Sequence, residues 1–407
     1  MAARLVFAVV LAALATAAAA CKSVTEVRFV VGLDIAPSDT FLPQRGTVQL
    51  VVTMVDTGGQ ATLVHPTFTI GDSTLVTVSP SGLVRSLGPI GTTTVEASLG
   101  PFEDYVFITV HDSSLERVKL PNRSYGAAIA PNGVAYVTQV DLGKLRRLDL
   151  PSHTFGAEVL VGSVPTEIAF NSTGAVAYVT NQSSHNVSIV NVTTNTTEDV
   201  IPVTGDPFEV IVAPGDSILY VSTNVDSVYG IRLSTKAVVA AFATPAIGNG
   251  FALRNDTLLY VSTHSGGTVI EFNLKTRAVG RTFTVGGTPQ KLVVSPDGNE
   301  LYIANEAGYV QFWNLVTGAQ IGGNLALPPG SAGYGMARRP SNGQLYVTSA
   351  YFGGGNIHII NPVTRTLTRT IVAGGSTRRV VFNASGTVGF VPNEGTGYST
   401  GWIDFLK

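Results

Sequence analysis

The chain has 407 residues, with 25 Lys and Arg against 27 Asp and Glu, a formal net charge of −2 and only 13% charged residues. Such a balance, without basic or acidic runs, excludes a nucleic-acid or anionic-membrane partner held by bulk electrostatics and a long disordered tail. One cysteine excludes an internal disulfide, and plentiful Gly, Val and Thr point to an all-β chain.

The N-terminus reads as a targeting segment. Arg4 supplies a positive start, residues 5–20 are an unbroken apolar and small-residue run, and Cys21 follows. The run is short for a membrane span and ends in small residues, as secretory leaders do. With the only cysteine at its end, it resembles the bacterial lipoprotein cleavage box, in which that cysteine receives the lipid. Ala18 stands where that family prefers Leu; Ala19 and Ala20 fit. The resemblance implies removal of residues 1–20, a lipid on Cys21 and a place in the cell envelope. Lys22, where some bacteria use Asp for inner-membrane retention, points to the outer membrane. Ordinary cleavage within 17–20 would instead give a periplasmic or secreted protein.

Residues 24–111 carry short alternating segments at 27–31, 47–55, 67–70, 76–78, 93–98 and 106–110, separated by turn clusters such as Asp56-Thr57-Gly58-Gly59. This is the rhythm of a small β-sandwich. The segments Gly46-Thr47-Val48-Gln49-Leu50, Val76-Thr77-Val78-Ser79-Pro80-Ser81-Gly82-Leu83-Val84 and Gly91-Thr92-Thr93-Thr94-Val95 resemble the bacterial Ig-like group 2 domain. Phe68 sits where that family places a core Trp.

From residue 114 a repeat takes over. Its phrase reads Ala135-Tyr136-Val137-Thr138, Ala177-Tyr178-Val179-Thr180-Asn181, Leu219-Tyr220-Val221-Ser222, Leu259-Tyr260-Val261-Ser262, Leu301-Tyr302-Ile303-Ala304-Asn305, Leu345-Tyr346-Val347-Thr348 and Gly389-Phe390-Val391-Pro392-Asn393. Successive aromatic positions are 42, 42, 40, 42, 44 and 44 residues apart, the period of a propeller blade. In the second copy, strands are expected at 167–170, 176–180, 187–190 and 198–202. The third strand ends in Asn or Asp with Thr or Ser three residues on, as in Asn191/Thr194 and Asn314/Thr317, a turn that side-chain bonding to backbone explains. The last copy stops at Lys407 one strand short, and Leu115-Glu116-Arg117-Val118-Lys119-Leu120 is a strand without a blade. Pairing the two closes a seven-bladed ring and removes an open edge.

The Tyr-Val-Thr-Asn phrase with its downstream Asn-x-x-Thr resembles the YVTN-repeat, YncE-like seven-bladed propellers over 114–407. That resemblance implies an exported protein, in some members surface-associated and mostly without assigned chemistry. The same blade design is similar to 6-phosphogluconolactonase-like propellers and to the propeller subunits of some amine dehydrogenases. The repeat fixes architecture, whereas function must be argued from a site.

No metal or cofactor is expected: the six histidines never fall at ligand spacing, and no carboxylate cluster has a cation-loop pattern. No Gly-x-Ser-x-Gly elbow occurs, and Gly330-Ser331-Ala332-Gly333-Tyr334-Gly335 lacks the strand–helix context of a dinucleotide site. Aligning the inner strands places Glu167, Glu209, Lys291 and Arg379 at one position around the channel, with Gly126 and Gly335 in other blades. Opposite charges there either orient a polar or zwitterionic ligand or neutralise one another. The loops on the same face add Asp141, Lys144, His185, Asp226, His264, Glu306, Tyr351, Phe352, Glu394 and Tyr398 as contact candidates.

The expectation is therefore an exported, monomeric, envelope-anchored binding protein. Its propeller loop face would take a protein, glycan or small ligand, and its Ig-like module would serve as a stalk. A lactonase-like hydrolase with its site at the channel mouth and a structural surface-layer component remain alternatives.

Overall fold

A computed structural model describes residues 29–38, 40–225, 227–350, 355–395 and 401–407. The leader, Cys21, Asp226, Tyr351, Phe352 and Tyr398 lie outside the described residues.

Three sheets build the N-terminal module. One joins Val30–Ala36, Val51–Asp56 and Ala61–Leu63, and a second joins Thr40–Pro43, Phe102–His111, Gly91–Leu99 and Thr67–Ile70. The third joins Thr47–Gln49, Leu83–Ser86 and Val76–Val78. All face one core containing Ile35, Val52, Val76, Val84, Val95 and Ile108, against which Phe68 packs partly buried. Period-two alternation does this work: Thr93, Val95 and Ala97 point inward while Thr94 and Glu96 lie on the opposite face. The expected strand over 47–55 is two strands. Leu50 breaks it, donating its N–H to Gly82, so that the halves pair in different sheets.

Seven four-stranded antiparallel sheets follow, six of them with their strands in chain order from the inner strand outward and the seventh completed by an earlier strand. Blade one is Ala127–Ile129, Ala135–Gln139, Lys144–Asp149 and Thr154–Leu160; blade two is Pro165–Phe170, Val176–Asn181, Asn186–Asn191 and Thr196–Pro202. The seventh holds Val381–Phe382, Gly389–Asn393 and Gly401–Leu406, and its fourth strand is Leu115–Leu120, paired from Leu115↔Leu406 to Leu120↔Gly401. Each inner strand touches the next, and that of blade seven touches that of blade one, so the ring is closed.

Each letter of the repeated phrase has a separate task. Its tyrosine and valine sit on opposite faces of the blade: Tyr178 packs with Leu219 and Val221 of the next blade, while Val179 packs with Tyr136 of the previous one. The hydroxyl staples blades together. Thr180 accepts the Glu167 N–H at 3.0 Å and donates to the Phe208 carbonyl of the next blade at 2.8 Å. Ser222 repeats this with Glu209 and Gly248 at 2.9 and 2.7 Å. The asparagine shapes loops: Asn305 Oδ1 accepts from Thr288 and Ala307 N–H, and its Nδ2 donates to Gly286, a pattern Asn393 copies with Ser376, Gly395 and Gly374. Asn191, Asn314 and Asn361 close third-strand turns by accepting backbone N–H groups two and three residues on.

Candidate functional site at the channel mouth

The four charges aligned along the sequence meet in the channel. Arg379 grips Glu167 through both its Nε and a terminal nitrogen. Lys291 Nζ lies 2.5 Å from Glu209 and 3.8 Å from Glu167, so Glu167 links the two cations. Two cations face two carboxyls, so the group is neutral when Glu209 is ionised. Glu167, Glu209 and Arg379 are buried, and Lys291 keeps 15% side-chain exposure. Burial pushes the Glu209 carboxyl up to about 7, with Lys291 pulling the other way and Glu167 adding to the rise. Burial works against the Arg379 charge, but the Glu167 carboxylate overcomes it and holds the guanidinium protonated.

Glycines are what let the ring close at this level. A Cβ on Gly126, Gly250 or Gly335 would strike the carbonyl of Thr166, Gln290 or Arg378 in the next blade. The Gly-rich stretch at 330–335 is thus a loop entering the inner strand Gly333–Arg338, whose Gly335 serves this close approach.

One residue earlier on each inner strand, a second ring narrows the mouth: Tyr125, Thr166, Phe208, Asn249, Gln290, Tyr334 and Arg378. Three are aromatic, three are neutral and polar, and one is charged. The Tyr125 and Tyr334 hydroxyls share a hydrogen bond of 2.7 Å, and Tyr125 meets Phe208 edge-on at 5.8 Å. Burial, and then the neighbouring Tyr334, raise the Tyr125 phenol well above its ordinary value, so it stays protonated. Both arginines lie against this pair: Arg378 sits 4.8 Å from the Tyr334 ring and Arg379 5.1 Å from the Tyr125 ring. The tyrosines thereby separate an outer guanidinium from the buried network. Sequence alignment found the deeper ring and missed the outer one, because only Arg378 there bears charge.

The rim comes from the loops. Arg378 Nε donates to Glu394 at 2.9 Å, and Arg123 Nε donates to Asp141 at 2.9 Å. Glu306 accepts from Gln290 Nε2 at 2.6 Å and lies 3.9 Å from His264 Nε2; burial raises its carboxyl while His264 lowers it. His185 Nδ1 is 2.8 Å from Asp206, and Lys144 pairs with Glu158 at 2.6 Å. His358 is in the core, bonded through Nδ1 to Thr370 at 3.0 Å. Among the described residues, no group of three or more His, Cys, Asp or Glu is arranged to hold a metal ion.

No family model matches the chain, and no curated protein matches it. Among solved structures, hydrazine synthase of Kuenenia stuttgartiensis is similar, with a TM-score of 0.60 and 18% identity over 68% of this chain and 94% of that one. At that identity the likeness concerns the fold, and it agrees with the seven sheets described above.

Proposed function

We propose that this chain is an exported binding protein, tethered to the cell envelope through a lipid on Cys21. The loop face of its propeller takes a protein, glycan or small ligand, and the module over 24–111, an Ig-like group 2 fold of the kind its sequence resembles, is the stalk. One observation carries the reading: Glu167, Glu209, Lys291 and Arg379 satisfy one another beneath the Tyr125–Tyr334 pair, so the chemistry open to a partner lies on the rim. Placing photocrosslinking residues at His185 and His264 on that rim, and at Val363 on the opposite face, tests it in intact cells. Adducts from the rim alone support the proposal, while equal or exclusive adducts from Val363 overturn it. Cys21→Ser should release the protein from membranes, and unchanged retention would refute the anchor.

A second reading, a lactonase-like hydrolase, rests on Glu209. A carboxyl poised at about 7 beside an ammonium is the kind of group that serves as a general base. Lactone or ester turnover that follows the Glu209 titration and disappears in Glu209→Gln would establish it and displace the binding proposal.

A further inference from the structure

We propose that the channel mouth binds a free α-amino acid, or the zwitterionic end of a short peptide, its carboxylate on Arg378 and its ammonium on Glu306. This inference rests on the loop-face reading and deepens it. It moves recognition from the four aligned charges to residues one layer above them.

The outer ring offers one guanidinium, and that group is prepared for a ligand. Glu394 fixes Nε, and the faces of Tyr334 and Tyr125 orient the plane, at 4.8 and 5.4 Å from their ring centres. Among the described residues the terminal nitrogens of Arg378 make no hydrogen bond to protein, and its side chain keeps 25% exposure. A guanidinium held this way presents a rigid fork that matches a carboxylate.

A bare anion is a poor match for the whole mouth. Arg378 is offset by Glu394, Arg123 by Asp141, and the deeper four charges cancel among themselves. Glu306 is then the surplus charge. It has a neutral donor in Gln290, and the one Lys, Arg or His nitrogen within 4 Å of it among the described residues is the His264 imidazole Nε2, at 3.9 Å. Burial already makes its charge costly, and Arg378 is near enough to lower its proton affinity. A ligand ammonium would relieve that cost where a second carboxylate would raise it. Glu306 belongs to blade five, Tyr334 to blade six and Arg378 to blade seven, so the opposite charges flank one aromatic face. Opposite charges either side of an apolar surface are what an α-amino acid with a carbon side chain requires.

The experiment is isothermal titration of the full exported chain with three probes that share one side chain: leucine, isoamylamine and 4-methylpentanoate. We expect leucine to bind at least about tenfold more tightly than either single-charge analogue, since each loses one charge-assisted contact. Arg378→Gln should cost leucine about tenfold or more while leaving isoamylamine unchanged. Glu306→Gln should abolish the preference for leucine over 4-methylpentanoate, a change of selectivity that a damaged fold would not produce. No leucine binding by the folded protein, or binding indifferent to both substitutions, overturns the inference. If rim crosslinks persist in that case, the loop-face reading stands without it; if they are absent too, both fall.

Discussion

Arg117 and Asp404 form a two-point ion pair inside the seam that closes the propeller, with Nε–Oδ1 at 2.6 Å and Nη2–Oδ2 at 3.1 Å. Their side chains are 1% and 0% exposed. They sit opposite each other where Leu115–Leu120 pairs with Gly401–Leu406, so the pair joins the two ends of the repeat region. Asp404 also accepts from Trp402 Nε1, and Arg117 lies against the rings of both Trp402 and Phe41 of the N-terminal module, at 4.4 and 5.2 Å from their centres. A buried guanidinium without its carboxylate is costly, so Asp404→Ala should destabilise the protein by about 3–5 kcal/mol. Replacing both partners with Met and Leu should recover most of that loss in urea unfolding. A single-variant cost near zero would mean that the seam does not depend on the pair.

The hydroxyl staple is a second test. Thr180→Val keeps shape and removes the bond to the Phe208 carbonyl together with the acceptor for the Glu167 N–H. It should cost about 1–3 kcal/mol, the penalty for stranding buried backbone groups. Ala304 of blade five, which holds the equivalent place without a hydroxyl, should show no comparable loss when changed to Gly beyond its one methyl.

Gly126→Ala is expected to be among the most damaging single-methyl changes in the ring, at about 3 kcal/mol or more, because the new Cβ meets a backbone carbonyl that cannot rotate away. Gly133→Ala, where the added atom meets nothing within 4 Å, should suffer only the cost of its left-handed backbone. Comparable melting temperatures for the two variants would contradict the close-approach explanation.

Stability should respond to pH in two opposed ways. Glu209 titrates at about 7 when folded against 4.5 ordinarily, so its contribution is full below 4.5 and is lost as pH rises through about 7. His358 is lowered by burial from 6.5 to about 4, so its contribution is present above 6.5 and is lost as pH falls through about 4. Each is worth on the order of 3 kcal/mol. Melting curves of Glu209→Gln should lose the alkaline-side decline, and those of His358→Asn the acid-side decline; unchanged profiles would refute the assignment.

Much of the fold was legible because its signals are periodic. Seven aromatic anchors gave the blade count, and the orphan segment 115–120 gave the closing strand with its observed bounds. Other elements carried too few residues to show a period. Thr40–Pro43, Ala61–Leu63 and Leu83–Ser86 are three or four residues long, and Leu50 turns the chain between sheets without Gly or Pro to mark the break.

The candidate site was legible in part for the same reason. Glu167, Glu209, Lys291 and Arg379 occupy one repeat position, so alignment alone brought them to one level of the channel. Alignment could not say that they consume one another's charge, because which residue faces which depends on side-chain reach across the ring. Nor could it separate Arg378 from Arg379, neighbours in sequence that lie against the same tyrosines, one reaching a loop carboxylate and the other a buried one.

By itself the sequence determined an all-β chain with seven blades, the strand that closes them, and the residues that turn toward the channel. All of these follow from short-range periodicity and from the need to leave no strand edge open. Only the tertiary structure decided which charges neutralise each other, which glycines permit contact between blades, and which guanidinium remains turned toward solvent. Those outcomes depend on distances between residues as far apart as Glu167 and Arg379, and such distances are set by closure of the ring.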